Sequence, residues 1–582
     1  MNYAAVYHKP LSEYCYGLDR ETVYFRLRVA KDDIKRVSLF YGDRSFLGNP
    51  VQFKEIEMEK FSYNRYFDFY EVTVHTKYFR INYYFELEDY SGETRYYYAN
   101  HFHDEVSIER SKFYQFNYNY ASKDRFPPEW VKDAVVYNIF PDSFVGSETD
   151  IPNGVDFKNL ESAKEDTYIE WHGKKTYARN QGSLRGIINS LDYLLDLGVN
   201  CLYLNPIFVA GEYHKYDTID YFHIDPNIGT NADFKELVEK CHEKGIKIII
   251  DGVFNHAGWK SELFLDCVRN GKDSKYWQFF RNLEEPLEIP EGKYELPNYE
   301  AFGYEKRMPK LDTENPEVID YFTNVGKFWL EEYGIDGWRI DVANEMADKF
   351  HRAFRERLKA SKPDVYLIGE IWESAEHWLQ GDSFDSTMNY YFRNTLEDFF
   401  ALDKLDAEEF SYRINELLLR YKKPMTYAQL NLMNSHDVYR FMDSCQGNLK
   451  KYKLAALFML SFVGVPSIFY GDEFAFEGQT EREYRRPFKY VDYEDSVYKF
   501  YKEIIRLRKS EEALKEGKFR FITADPKSNL LVFSREYLDE KVIVAFNNSA
   551  ENVNYESQGN ILLAEGYNNN ELAAYGFVVS KE

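Results

Sequence analysis

Between residues 134 and 470 eight short apolar runs alternate with helical patterns, and few folds accommodate that alternation. The runs are 134–140, 201–204, 246–251, 337–341, 365–370, 384–388, 429–433 and 466–470. Before the second run, Leu184, Ile187, Ile188, Leu191 and Leu195 fall on one helical face that stops near Gly198. Phe234, Leu237, Val238 and Cys241 do the same before the third, stopping near Gly245. Before the fourth, Val318, Phe322, Val325 and Trp329 mark a helix, with Gly334 where a C-terminus favours a left-handed residue. Strands without polar alternation are buried on both faces, which means a parallel sheet covered by helices. Eight such units predict an α/β fold, a closed (β/α)8 TIM barrel. The longest insertion, 255–310, follows the third strand and predicts a small lobe. A helix from Ser496 to about Arg508 closes the barrel.

The flanks read differently. A chain of 582 residues is too long for one core. Segments 22–29 and 70–74 alternate, 80–87 adds a third strand, and Ser91-Gly92 marks a turn, so an N-terminal β-sandwich is expected. Phe126-Pro127-Pro128-Glu129-Trp130 reads as a linker. Segments 529–534 and 541–546 return to strand patterning, a small C-terminal β-domain expected to be a second sandwich. The division is 1–122, 123–509 and 510–582.

The net charge of −24, with no long Lys/Arg cluster, disfavours nucleic acid and anionic membrane as partners, whereas a neutral substrate meets no electrostatic penalty. The most apolar stretch, 454–470, is interrupted by Ser461, Gly464, Pro466 and Ser467 and reads as a buried helix turning into a strand. The chain's five cysteines are scattered without a C-x-x-C, as in a reducing cytosol. No basic region followed by an apolar one opens the chain, so a cytoplasmic enzyme is expected.

Catalytic side chains of such a barrel gather at the C-terminal ends of its strands. Those ends carry Asp251 and His256, then Arg339 and Asp341, then Glu370, then His436 and Asp437. Arg339 and Asp341 are two apart and project to the same side of a strand. A carboxylate beside a guanidinium has its pKa lowered and stays ionised, which suits a nucleophile. The same pattern at an isolated strand end would be a structural ion pair. A lone histidine such as His351 is expected at the surface.

The blocks Asp251-Gly252-Val253-Phe254-Asn255-His256, Gly337-Trp338-Arg339-Ile340-Asp341, Gly369-Glu370-Ile371-Trp372 and Asn434-Ser435-His436-Asp437 strongly resemble the α-amylase family, glycoside hydrolase family 13. Three further stretches resemble its cyclomaltodextrinase, neopullulanase and maltogenic amylase branch. They are Met308-Pro309-Lys310-Leu311-Asp312, Val342-Ala343-Asn344-Glu345 and His214-Lys215-Tyr216-Asp217-Thr218. The opening Ala5-Val6-Tyr7-His8-Lys9-Pro10 is similar to that branch's extra N-terminal domain, which is starch-binding-like and dimer-forming.

The resemblance implies Asp341 as nucleophile, Glu370 as general acid/base and Asp437 as the group holding hydroxyls of a distorted sugar. It implies Arg339, His256 and His436 around that sugar, Tyr216 as a stacking platform with His214 beside it, and Trp372 on the leaving-group side. It places Asn344, Glu345, Glu481 and Arg485 among substrate-binding residues, and leaves Asp251 a structural role. Retaining glycoside hydrolysis needs one ionised and one protonated carboxyl group. The charge-poor wall of Ile368, Ile371 and Trp372 suits Glu370 to the proton-donating part.

Two departures stand out. The loop Val145-Gly146-Ser147-Glu148-Thr149-Asp150 lacks the dense Asn/Asp pattern some relatives use for calcium, so it does not support a calcium site, although oxygen ligands could still assemble one; no cofactor is required and no metal residue is assigned. Glu481-Arg482-Glu483-Tyr484-Arg485 stands where the branch often has an Asp-Pro pair and then an Arg, so recognition of the second non-reducing sugar is expected to differ. The implied activity is retaining cleavage of α-1,4 bonds in cyclodextrins and short maltodextrins. Some transfer to sugar acceptors and some α-1,6 cleavage, as in pullulan, come with it, in a homodimer formed through the N-terminal domain. A 4-α-glucanotransferase is the alternative, since water and a sugar hydroxyl attack the same intermediate. A non-catalytic glycan-binding protein would have lost a carboxylate, and all three are present.

Overall fold

The computed structural model describes residues 1–122, 125–146, 167–289, 296–488 and 496–582. The eight apolar runs are the strands β1 (Val136–Ile139), β2 (Cys201–Leu204), β3 (Lys247–Gly252), β4 (Gly337–Ile340), β5 (Tyr366–Gly369), β6 (Ser386–Asn389), β7 (Leu430–Leu432) and β8 (Val465–Phe469). They pair in that order, all parallel, and β8 returns to β1, closing the barrel. Their near-complete burial follows from having packed side chains inside and helices outside.

The helix Pro316–Tyr333 feeds β4, and Val318, Phe322, Val325 and Trp329 are its buried face. It starts with Asn315 capping Glu317 N and a proline in its first turn, and ends on Gly334 at φ 77°. The helix expected over Leu184–Leu195 is instead two, Leu184–Asn189 and Leu191–Leu197. At the break the Ser190 hydroxyl donates to Gly186 O at 2.8 Å, the local side-chain bond that competes with a continuous helix. After β3 the insertion carries the helix Glu262–Asn270 and returns beside β3 through the bridge His256 to Lys310.

The N-terminal part forms two sheets, of four and six strands, around its own core of Val23, Phe25, Leu27, Leu39, Phe85 and Leu87. It docks on the barrel through Arg26, whose Nη1 donates to Leu419 O at 2.6 Å, and through Tyr16, whose hydroxyl accepts from Lys423 N at 2.8 Å. The C-terminal strands join in one six-stranded sheet that buries both faces. On one face Phe519, Phe533 and Phe546 lie against Phe458 of the barrel helix Leu449–Ser461. On the other Val532, Ile543, Ala545, Leu572 and Val578 form a core of the domain's own. No helix among the described residues is long and apolar enough to cross a membrane.

Candidate active site

Three of the side chains named from the strand ends converge on one guanidinium, that of a fourth. Arg339 is fully buried in β4. Its Nη1 donates to Asp251 Oδ1 at 2.8 Å, to Asp251 Oδ2 at 2.9 Å and to Asp341 Oδ1 at 2.8 Å, and its Nη2 lies 2.9 Å from Glu370 Oε2. β3, β4 and β5 are adjacent in the barrel, with Asp251 opposite Arg339 in register. Three neighbouring strands therefore deliver three carboxyl groups to one cation.

Glu370 accepts two further donors, Val342 N on Oε2 at 2.9 Å and Trp372 Nε1 on Oε1 at 3.2 Å. Val342 points its N–H there because it turns into the left-handed region at φ 46°. For a β-branched residue that costs about 1–3 kcal/mol, strain of the kind that accompanies functional turns. The next residue is braced from behind, where buried His351 donates Nε2–H to Ala343 O at 2.9 Å. His351 is thus not the surface histidine expected from the sequence. The helix Asp348–Ser361 folds it under the loop that follows Asp341.

Asp437 completes the acids. Its Oδ2 is 3.0 Å from His436 Nε2 and its Oδ1 3.5 Å from Arg485 Nη2. Asn205 donates to His436 Nδ1 at 2.9 Å, which fixes the tautomer with its proton on Nε2. Tyr216 connects the two halves of the site, donating to Asp251 Oδ2 at 3.1 Å and touching His436 Nε2. The Tyr216 and His436 rings are nearly parallel, 10° apart, and the His214 ring lies 5.9 Å from that of Tyr216 at 30°. Both tyrosine and histidine sit on the hairpin of Phe208–Ala210 and Thr218–Ile224. His256 donates to Tyr216 O at 3.1 Å and stacks on Phe302.

The electrostatics correct one expectation. Burial is the largest influence on Asp341 and pushes its carboxyl well up; Arg339 opposes this, while Glu370, Asp251 and Asp437 add to it. Arg339, shared by three acids, favours the Asp341 carboxylate but offsets only part of that rise. Burial likewise lifts Asp251, and it lifts Asp437 to about 7. Burial and mutual repulsion thus raise Asp341, Asp251 and Asp437 together. The histidines stay neutral, since burial lowers His256 and His214 to about 3 and His436 well below its usual value.

The remaining residues line the rim. Trp372 is 46% exposed and lies flat on Tyr390, with ring centroids 3.7 Å apart. Asn344 bonds Glu373 at 3.1 Å, and Glu345 pairs with Lys310 at 3.1 Å, so both flank the acids without touching them. Arg485 holds Glu481 at 3.0 Å, Tyr213 OH at 3.1 Å and His436 O at 2.7 Å. Sequence reasoning missed Tyr203, which donates to Asp251 at 2.9 Å, and Asn205, Lys310, Tyr390 and His351. Asn205 follows β2 directly, so the strand-end rule could have found it. Among the described residues no group of three or more His, Cys, Asp or Glu could hold a metal ion. Residues 147–150, part of the loop behind the calcium expectation, lie outside the described residues.

The description "alpha amylase, catalytic domain" matches residues 138–491, and "alpha amylase, N-terminal ig-like domain" matches residues 1–122. A cyclomaltodextrinase of Thermoanaerobacter pseudethanolicus is 41% identical over 560 residues, covering 94% of this chain and 92% of the relative. Neopullulanase 2 of Thermoactinomyces vulgaris is 38% identical over 556 residues, covering 94% of this chain and 91% of the relative. A solved cyclomaltodextrinase structure has a TM-score of 0.89 at 35% identity, with both chains covered in full.

Proposed function

The chain belongs to the α-amylase family, and from that premise we propose that it is a retaining glycoside hydrolase cleaving α-1,4-glucosidic bonds of cyclodextrins and short maltodextrins. The observation that carries the reading is the single guanidinium of Arg339 touching Asp341 and Glu370 together. In the first step the Asp341 carboxylate attacks the anomeric carbon while Glu370 passes its proton to the glycosidic oxygen, and the leaving chain departs. In the second, water attacks the same carbon, gives a proton to Glu370 and releases Asp341. A sugar hydroxyl in place of water gives transfer. Arg339 stabilises the carboxylate that attacks and later leaves.

Asp437, with His436 and Arg485 behind it, grips hydroxyls of the reacting sugar. Tyr216 stacks under that ring, and Trp372 meets the leaving-group side. Two carboxyl groups suffice for this chemistry, so no cofactor is assigned. We assign the sheets of 1–122 to a dimer-forming domain, the barrel to 123–509 and the last sheet to 510–582. In the homodimer one subunit's N-terminal domain narrows the other's barrel mouth. Tyr66, Tyr90 and Tyr120, 68%, 70% and 73% exposed, support an interface on that part. All five cysteines are free and buried, which fits a reducing compartment such as the cytoplasm. Initial rates on β-cyclodextrin and soluble starch test the reading: faster attack on the ring is expected, and a strong starch preference would overturn the narrow site.

A further inference from the structure

A cavity of ≈ 40 Å³ lies where the N-terminal sheets, the barrel and the C-terminal sheet meet, remote in the fold from the strand ends that carry the acids. Tyr24 and Arg26 of the strand Thr22–Ala30 line it, with Glu71, Lys423 at the start of the helix Lys423–Thr426, and Lys518 and Arg520 of the strand Lys518–Ala524. Four cations thus face two carboxylates, Glu71 and the nearby Glu59, in a chain whose net charge is −24.

The carboxylates are already engaged. Glu71 accepts from Tyr24 OH at 2.8 Å, and Glu59 holds Lys518 at 3.1 Å and also Arg520. Arg26 is 2% exposed and, among the described residues, has no carboxylate partner. Its Nε donates to Tyr24 OH and its Nη1 to Leu419 O, and its guanidinium carbon lies 5.6, 5.5 and 5.4 Å from the ring centres of Tyr14, Tyr24 and Phe61. Arg520 Nε is buried without an acceptor, and Lys423 Nζ lies 5.5 Å from the centre of the Tyr427 ring. A buried guanidinium compensated by neutral partners alone is costly, and the cost falls when an anion arrives.

We propose that this junction cavity binds a small oxyanion of the phosphate type, either inorganic phosphate or the phosphoryl group of a sugar phosphate. The remaining donor edges of Arg26 and Arg520, with the Lys423 ammonium, match the several acceptor oxygens of such an ion. Size excludes a glucan, because the space holds roughly three waters or one five-atom oxyanion. The bound ion ties all three parts of the chain together and stabilises the folded state.

Thermal unfolding and calorimetric titration of the intact protein with sodium phosphate, sodium chloride at equal ionic strength, and glucose 1-phosphate test this. Phosphate is expected to raise Tm saturably, by about 2 °C or more, while chloride does not. Lys423→Gln, far from the acids and expected to keep wild-type hydrolysis, should need at least tenfold more phosphate for the same rise. An equal rise with glucose 1-phosphate identifies the phosphoryl group as the recognised unit; a response to inorganic phosphate alone identifies the free ion. Equal shifts with chloride, or an unchanged response in Lys423→Gln, would overturn the proposal.

Discussion

At the scale of single residues, Asp341 and Glu370 answer to the same cation, and leaving-group chemistry tests the different work proposed for each. Glu370→Gln cannot protonate a leaving sugar, so maltotriose hydrolysis should fall about 10²–10⁴-fold. An aryl maltoside with an acidic phenol leaves without that help and should lose much less. Equal losses on both substrates would reject Glu370 as the acid. His351 makes a pH prediction. Burial holds it neutral in the folded chain, lowered to about 4, whereas the unfolded chain titrates near 6.5. Below 6.5 unfolding therefore takes up a proton, and stability declines as pH drops towards 4. Relative to His351→Gln, the wild type should lose about 1.4 kcal/mol per pH unit across that window. Parallel denaturation profiles for the two proteins would show that His351 does not titrate this way. The Arg339–Asp341 pair was legible because two-residue spacing fixes which side of a strand a side chain takes. His351 was not, because its burial depends on how a later helix packs beneath the loop.

At the scale of elements, boundaries set by backbone geometry were the readable ones. Gly334 ends its helix in the left-handed region, and a Cβ there would meet no backbone, the nearest atom being His242 Cε1 at 3.8 Å. Gly334→Ala should therefore cost only the conformational strain, about 1 kcal/mol, and Gly334→Asn less, since asparagine tolerates that region. Denaturant midpoints check the order, and equal costs would mean that something other than φ governs the cap. The break at Ser190 was not readable: the apolar spacing continues across it, and a serine bonding back to its own helix leaves no mark on periodicity. The docking of the C-terminal sheet was hidden for a related reason. Strand alternation reports that a face is buried but not what buries it, here Phe458 of the barrel.

For the whole molecule, the switch from alternating to continuous apolar runs exposed three parts, yet nothing in it told how they dock. Arg26 reaches Leu419 across 393 positions of chain, a contact with no local signature. Association belongs to this scale as well. Sedimentation equilibrium should give a dimer, and replacing Tyr66, Tyr90 and Tyr120 together by serine should shift it towards monomer while raising relative activity on starch. A monomeric wild type would remove the partner's domain from the picture of the active site.

One cation answering to three acids leaves little room for adjustment within the pocket. An engineer who wanted a new working pH could not swap any of the four without disturbing the rest. The accessible dials are the neutral neighbours that touch the cluster from outside, Tyr203 on Asp251 and the Trp372 indole on Glu370.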